Sequence, residues 1–307
     1  ELLHGPIYRT GYKEADIVDY DISTIKLSSG YEWNGDQIQA SIDARYGLTN
    51  TLFTSESRIR LEDYSMFQVK AAIQTPKFKT LLYKTFQWSG DSYNVNYLAE
   101  QLIISAKSNS DWYRDYKIAY ENGLPVYGVR KYDYKGARKF ADSGVTLLQS
   151  SNAVPRFEPG TEAFQNKVNE LRSKKGYSEG ASIVDNSSVT NLNVESDSLI
   201  KNLKIGINYK FIELDSDGTI FPDTTGNSIT NYEIGGYFEL KNKWFDDALS
   251  TLLGVRVDYN EQFPVNSSQS IGASYALSDR LYIRSSVLYG IRYPTVREQF
   301  IDTNLGK

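Results

Sequence analysis

The sequence has no cysteine, one histidine (His4), one methionine and eight prolines among its 307 residues. Without cysteine there is no disulfide, no thiolate metal site and no thiol nucleophile, and the redox compartment stays open. A lone histidine beside the terminus argues against a histidine triad or a histidine-rich metal centre. Charge of one sign is also lacking: 34 basic against 38 acidic residues leave a net -4 and no electrostatic footprint for a nucleic-acid partner. No run of 18 apolar residues occurs, which excludes a transmembrane helix. A transmembrane β-barrel is not excluded, because its strands carry an apolar residue only at every second position. Aromatics, by contrast, are plentiful: 24 Tyr, 13 Phe and 4 Trp. The opening Glu1-Leu2-Leu3-His4 carries no signal-peptide pattern, so the sequence is expected to be mature, trimmed or part of something longer.

Period-two alternation dominates the chain. Ile38, Ala40, Ile42, Ala44, Tyr46 and Leu48 fall on one face of an extended segment, and Gln37, Gln39, Ser41, Asp43 and Arg45 on the other. A helix would scatter these residues around its circumference. The same alternation appears at Ile25–Trp33, Phe67–Ile73, Leu203–Phe211, Leu249–Tyr259, Ile271–Leu277 and Leu281–Ile291, and more weakly at 78–88, 188–196 and 231–242. About ten strands of roughly 9–12 residues follow, the length that crosses a bilayer at a tilt.

The connections are expected to alternate in length. Trp33-Asn34-Gly35-Asp36 reads as a type I′ hairpin turn centred on Asn-Gly, Pro76-Lys77 as a tight turn, and 197–202, 243–248 and Ser278-Asp279-Arg280 as short links. Long connections are expected at 49–64, 213–230 and 261–268, with a far longer excursion at 89–187. Short turns at one end and long loops at the other are a habit of outer-membrane barrels. The excursion has helical spacing at Val95, Leu98, Ala99, Leu102 and Ile103, again through Trp112, Tyr113 and Tyr116, and from Thr161 to Leu171. The expected division is therefore 1–88 barrel strands, 89–187 a long external loop with short helices, and 188–307 barrel strands.

An apolar strand face packs on a second sheet or meets lipid. Aromatics end the apolar sets as interface girdles do, at Tyr31 and Trp33 by a short turn and at Tyr46, Phe67, Tyr209, Phe211, Tyr259 and Tyr289 by long loops. The apolar sets also hold almost no charge, whereas a charge at the bilayer midplane costs about 2–4 kcal/mol. Lipid is therefore expected over Ile42, Val69, Ile207 and Val255.

Candidate ligand contacts lie in the excursion, since loops on a rigid sheet are where capture residues sit. Trp112, Tyr113, Tyr116, Tyr120, Tyr127, Tyr132 and Tyr134 can stack on a sugar or peptide ring; the rival reading has them packing the loop's own core. The basic cluster Arg130, Lys131, Lys135, Arg138 and Lys139 can attract an anion. An ordinary solvated face is the simpler reading, because Asp133 interrupts it and Asp142 follows. Asp215-x-Asp217-Gly218 opens like a calcium loop but lacks the further ligands, which favours a glycine-bearing turn. Arg172, Lys174 and Lys175 suit the C-terminal end of the third helix. Asp246 and Asp247 sit in an expected turn, and no nucleophile elbow, phosphate loop or metal-ligand spacing occurs, so no catalytic residue, metal or cofactor is expected.

Four stretches carry a family resemblance. They are Gly90-Asp91-Ser92-Tyr93-Asn94 with Tyr97-Leu98-Ala99; Leu214-Asp215-Ser216-Asp217-Gly218-Thr219-Ile220-Phe221; Trp244-Phe245-Asp246-Asp247 followed by Leu253 through Glu261; and Tyr289-Gly290-Ile291-Arg292-Tyr293-Pro294-Thr295-Val296-Arg297-Glu298-Gln299-Phe300. In this order, over about residues 20–304, they resemble TonB-dependent outer-membrane transporters of the Bacteroidetes type, akin to the starch-utilisation group. The resemblance implies an antiparallel transmembrane barrel of about twenty-two strands. It also implies active import, with external loops capturing a solute such as a glycan, peptide or siderophore, and TonB acting through a plug domain. A surface lipoprotein lid is a further implied partner. No plug, TonB-binding box or closing C-terminal strand is visible before Leu305-Gly306-Lys307, so the chain is expected to be the middle of a longer polypeptide. The alternatives are a passive porin-like or structural barrel that serves as an assembly platform, and a soluble β-rich glycan-binding module.

Overall fold

The computed structural model describes residues 7–54, 57–147, 152–176, 178–278 and 280–300. Glu1-Leu2-Leu3-His4, Asp279 of the expected last turn and Leu305-Gly306-Lys307 lie outside the described residues. The strands are β1 (Ser23–Asn34), β2 (Gln39–Thr54), β3 (Arg58–Gln74), β4 (Lys79–Trp88), β5 (Tyr93–Asn94), β6 (Ser188–Ile200), β7 (Leu203–Leu214), β8 (Ile229–Trp244), β9 (Leu249–Asn260), β10 (Phe263–Ser278) and β11 (Leu281–Tyr289). All but β5 follow one another across a single open sheet in chain order, and β5 pairs with β3. The pairings from β3 onward are antiparallel.

The ten long strands stand where the alternation puts them, yet several outrun their expected length. β3 extends over 17 residues, and β2, β8 and β10 over 16 each. The expected loops at 49–64 and 261–268 are consequently mostly strand, and Glu261-Gln262 alone join β9 to β10. Thr, Asn and Ser make these ends look like loop, but backbone ladder bonds need no apolar side chain. The first hairpin is also corrected. Gly35 donates its N–H to the Ile38 carbonyl at 2.9 Å, which centres the turn on Asp36-Gln37. Neither Asn34 nor Gly35 takes the positive φ that a type I′ turn requires.

Directly paired residues share a face, so the registers trace continuous rows. One row runs Leu82, Leu192, Tyr209, Ile234, Tyr259, and another Leu203, Leu240, Leu253, Ile271, Val287. Rows on the opposite face run Asn193, Asn208, Gly235, Asp258, Asn266 and Glu195, Gly206, Tyr237, Arg256, Ser268. No second sheet covers the apolar rows among the described residues: Ile207 is 59% exposed, Ile42 is 52% exposed, and Val69 and Val255 are only half-buried. Lys84 breaks the pattern, lying on the apolar face opposite Val69 with its ammonium 4.7 Å from the Phe86 ring centroid.

The chain divides into two compact units. Most of the sheet, with residues 24–48, 64–89 and 184–307, forms one. Residues 1–23, 49–63 and 90–183 form the other, which holds α1 (Glu14–Ile17), α2 (Val95–Ala106), α3 (Asn109–Asn122), a 3-10 turn (Pro125–Tyr127), α4 (Tyr134–Ala141) and α5 (Glu162–Ser173). A last short helix, α6 (Val296–Phe300), belongs to the sheet unit.

The helices begin where side-chain acceptors occur. Asn94 caps α2, Ser108 caps α3, Asp133 caps α4 and Thr161 caps α5, each accepting from backbone N–H groups of its first turn. Leu98 and Leu102 of α2 pack with Phe164, Val168 and Leu171 of α5 in one small core. Trp112, Tyr116 and Ala119 of α3 pack with Ala137 and Phe140 of α4 in another. Periodicity does not mark α4, since four of the eight residues Tyr134–Ala141 are charged or glycine and mask its buried stripe at Ala137, Phe140 and Ala141.

Candidate functional site

Within the helical unit the aromatic run separates into two groups. Trp112, Tyr116 and Tyr120 recur every four residues along α3, so their rings lie one above another. Trp112 and Tyr116 stack with centroids 5.3 Å apart, and Tyr116 and Tyr120 stack at 6.0 Å. Trp112 is only 1% exposed and donates its indole N–H to Asp142 at 2.7 Å, while burial pushes the Tyr116 phenol above its ordinary range against the pull of Arg138. These rings are spent on packing. Arg9 covers the Trp112 ring, and Tyr132 closes edge-on against Tyr120.

Tyr113, Tyr127, Tyr132 and Tyr134 are exposed, each with about half its surface in solvent. Tyr127 leans on Phe140 at 4.9 Å and follows Val126, which projects almost fully from the Pro125–Tyr127 turn. Tyr132 adopts a left-handed backbone with φ 63, pinned by its N–H to the Tyr120 carbonyl at 2.7 Å. Such a conformation costs on the order of 1–3 kcal/mol for a residue with a Cβ. Lys131 lies over the Tyr132 ring and Lys135 over the Tyr134 ring. Elsewhere in the same unit, Lys107 and Asp115 form a buried ion pair at 3.1 Å, with Lys107 also donating to the Val145 carbonyl.

The sheet unit offers a second kind of surface, which sequence reasoning recorded only as the polar half of an alternation. On β9, Arg256 pairs with Asp258 and donates to Asn208 of β7 at 2.5 Å, reaching over Gly235 of β8. A Cβ at Gly235 would collide with all three side chains. Likewise the Tyr237 ring lies flat across Gly206, and its hydroxyl donates to Glu195 at 3.0 Å, beside Lys204 at 2.9 Å from the same carboxylate. The two strand glycines were the available signal, because a glycine inside a strand marks a close approach. Toward β1, a groove of about 610 Å³ is lined by Gly30 and Gly47 together with Lys26, Asp43, Arg45 and Gln68.

The connection from β7 to β8 is organised by Asp223 and not by the Asp215-x-Asp217-Gly218 pattern. Burial opposes its charge, but the Ser216 hydroxyl and the backbone N–H groups of Ser216 and Gly218 hold the Asp223 carboxyl below its usual range. Asp217 and Gly218 take positive φ, as a turn requires. In the same unit, the segment after β11 folds back. Tyr293 donates to the Asp258 and Pro264 carbonyls, Gln299 accepts from Asn231, and Val296 and Phe300 pack on the Ile212, Leu214 and Phe221 core. Asp246 and Asp247 lie with Phe245 in a turn of consecutive positive φ values and shape the β8–β9 hairpin. No group of three or more metal-ligating side chains occurs among the described residues.

An antiparallel sheet with one uncovered apolar face and one ion-paired face is a wall segment of a transmembrane β-barrel. The chain matches the family described as TonB dependent receptor-like, beta-barrel, over residues 69–306, and it belongs to that family. It is thereby an outer-membrane protein of a receptor-barrel family and not of an enzyme family. Among solved structures, it is similar to the siderophore receptor PirA from Pseudomonas aeruginosa at 10% identity and a TM-score of 0.48, covering 90% of this chain and 34% of that one. It is also similar to the siderophore receptor PirA from Acinetobacter baumannii at 12% identity and a TM-score of 0.45, covering 87% of this chain and 33% of that one. The chain thus spans about a third of the length of these structures. No curated protein matches it.

Proposed function

We propose that the chain is part of an outer-membrane active importer, in which the helical unit is an external element that captures a solute and the sheet is the wall of a plugged barrel energised through TonB. The observation that carries this reading is the family match over residues 69–306, which coincides with the two-faced sheet. In that role the polar rows at Asn193–Asn266 and Glu195–Ser268 face a hydrated interior, and their ion pairs keep the strands' charges satisfied. Tyr113, Tyr127, Tyr132 and Tyr134 are the capture residues of the helical unit, with Trp112 and Tyr116 supporting them from below. The motif set ending in Tyr293-Pro294-Thr295 supports a Bacteroidetes-type receptor akin to the starch-utilisation group, for which a surface lipoprotein lid is the expected partner.

The test is a genetic one. A strain lacking the complete gene is grown on a panel of scarce carbon and iron sources beside a strain lacking TonB. A growth defect on one solute, reproduced by loss of TonB and absent when that solute is abundant, is the expected outcome. A solute-specific defect that persists in TonB-deficient cells only as slower diffusion, or no defect on any solute, would overturn active import in favour of a passive or structural barrel.

A further inference from the structure

The segment 126–139 holds five cations, Arg130, Lys131, Lys135, Arg138 and Lys139, against a single carboxylate, Asp133. Read along the chain, Asp133 and the following Asp142 temper this cluster. Folded, neither carboxylate serves it. Asp133 accepts from the backbone N–H groups of Lys135 and Gly136 and is the cap of α4. Asp142 is turned into the unit, taking the Trp112 indole N–H and the Thr10 hydroxyl, each at 2.7 Å. Arg130, Lys131, Lys135 and Lys139 are exposed, and none forms an ion pair among the described residues. Of the five, Arg138 alone is half-buried, beside Tyr116.

Exposed rings are interleaved with those charges. Lys131 lies over the Tyr132 ring, 4.9 Å from its centroid, and Lys135 over the Tyr134 ring at 5.8 Å, so an aromatic ring and an ammonium group come together twice. Tyr127 and the projecting Val126 are exposed in the same segment. A ligand matching it presents rings with an apolar face, each bearing a negative charge. Sugar rings expose C–H faces that lie against phenol rings, and a carboxylate on each ring meets the neighbouring cation. An acidic peptide supplies the charge without the rings.

We propose that this face of the helical unit binds an acidic glycan, a chain of sugar rings carrying carboxylates, and that it fixes the substrate class of the proposed importer. The inference rests on the reading of this unit as the capture element. Unpaired, solvent-exposed cations contribute mainly through long-range attraction, so binding weakens as salt approaches and passes physiological strength.

The experiment titrates the whole chain in detergent with hexagalacturonate, with maltohexaose as the neutral glycan of equal length, and with hexaglutamate as the acidic peptide. Hexagalacturonate is expected to bind at least tenfold more tightly than either control, and at least tenfold more weakly after Lys131→Gln with Lys135→Gln. Tyr132→Ala with Tyr134→Ala is expected to remove the preference over hexaglutamate. Circular dichroism and an unchanged thermal midpoint check that each variant is folded; if either pair unfolds, the single variants Tyr134→Ala and Lys135→Gln, both at exposed positions, replace it. Equal affinity for the neutral hexamer, equal affinity for hexaglutamate, or no hexagalacturonate binding at low salt would each overturn the acidic-glycan assignment. TonB-dependent growth on some other solute would then still stand, which separates this failure from failure of the importer reading.

Discussion

The helical unit and the sheet unit draw on the same apolar alphabet and dispose of it in opposite ways. In the helical unit Leu98, Leu102 and Ala119 are fully buried, Trp112 and Phe164 nearly so, and even the Lys107–Asp115 ion pair is enclosed. In the sheet unit Ile207, Leu253, Ile271 and Val287 stand exposed in rows, while the charged side chains of the other face are tied to one another. The first arrangement is what water imposes on a fold that must hide its own hydrocarbon. The second is uneconomical in water and sensible in lipid, where apolar surface needs no protein cover. One chain is therefore built for two solvents.

The comparison can be broken at its most expensive point. Lys107→Met leaves the buried Asp115 with Arg114, at 3.4 Å, as its remaining cation, and is expected to cost the helical unit about 3–5 kcal/mol, read from denaturant unfolding of that unit. A loss below about 1 kcal/mol would mean that Arg114 alone satisfies Asp115 and that the Lys107 pair is not what holds the unit. Next comes a matched pair of lysines. Ile207→Lys, on the apolar face of β7, is expected to destabilise the protein in bilayers by about 2–4 kcal/mol, and Asn193→Lys, on the polar face of β6, by less than about 1 kcal/mol. Equal costs, measured by reversible urea unfolding in liposomes, would erase the distinction between the faces.

A smaller effect is expected at Gly206. A valine there would push into the Tyr237 ring, costing about 1–3 kcal/mol, and Tyr237→Ala in the same background should recover most of it. Non-interacting effects in that double-mutant cycle would contradict the flat ring. The smallest effect concerns Glu298, which the Thr295 N–H, Arg292 and the Thr295 hydroxyl hold at about 2, against an ordinary 4.5. Because the folded value is depressed, its contribution is full above the ordinary value and is lost as pH falls from there through about 2. Carboxyl-carbon NMR should place the Glu298 midpoint near 2, and Arg292→Gln should raise it. A midpoint near 4.5 would deny the contact.

Much of the sheet was legible because alternation is a direct imprint of a two-sided environment. Ile205, Ile207 and Tyr209 against Lys204, Asn208 and Lys210 need no partner to be read. What escaped was set by backbone alone. The extension of β2 and β3 through Thr49–Thr54 and Arg58–Asp63, the turn at Asp36-Gln37 and the strand beginning at Phe263 lack apolar periodicity. The candidate site was half legible. The spacing of Trp112, Tyr116 and Tyr120 marks a helix face, but whether that face looks inward depends on α4, whose stripe is too short to stand out. The fate of Asp133 and Asp142 could not be read either, because a carboxylate's partner is a matter of tertiary placement.

The central claim is that lipid, and not protein or water, covers Ile205, Ile207 and Tyr209 of β7. The chain has no cysteine, so single cysteines carrying spin labels at 204, 205, 207, 208, 209 and 210 each report one position within it. In proteoliposomes, collision with oxygen should be high at 205, 207 and 209, and collision with a water-soluble nickel chelate high at 204, 208 and 210, alternating with a period of two. Labels at 205, 207 and 209 that are shielded from both reagents, or open to the nickel chelate, would contradict the account.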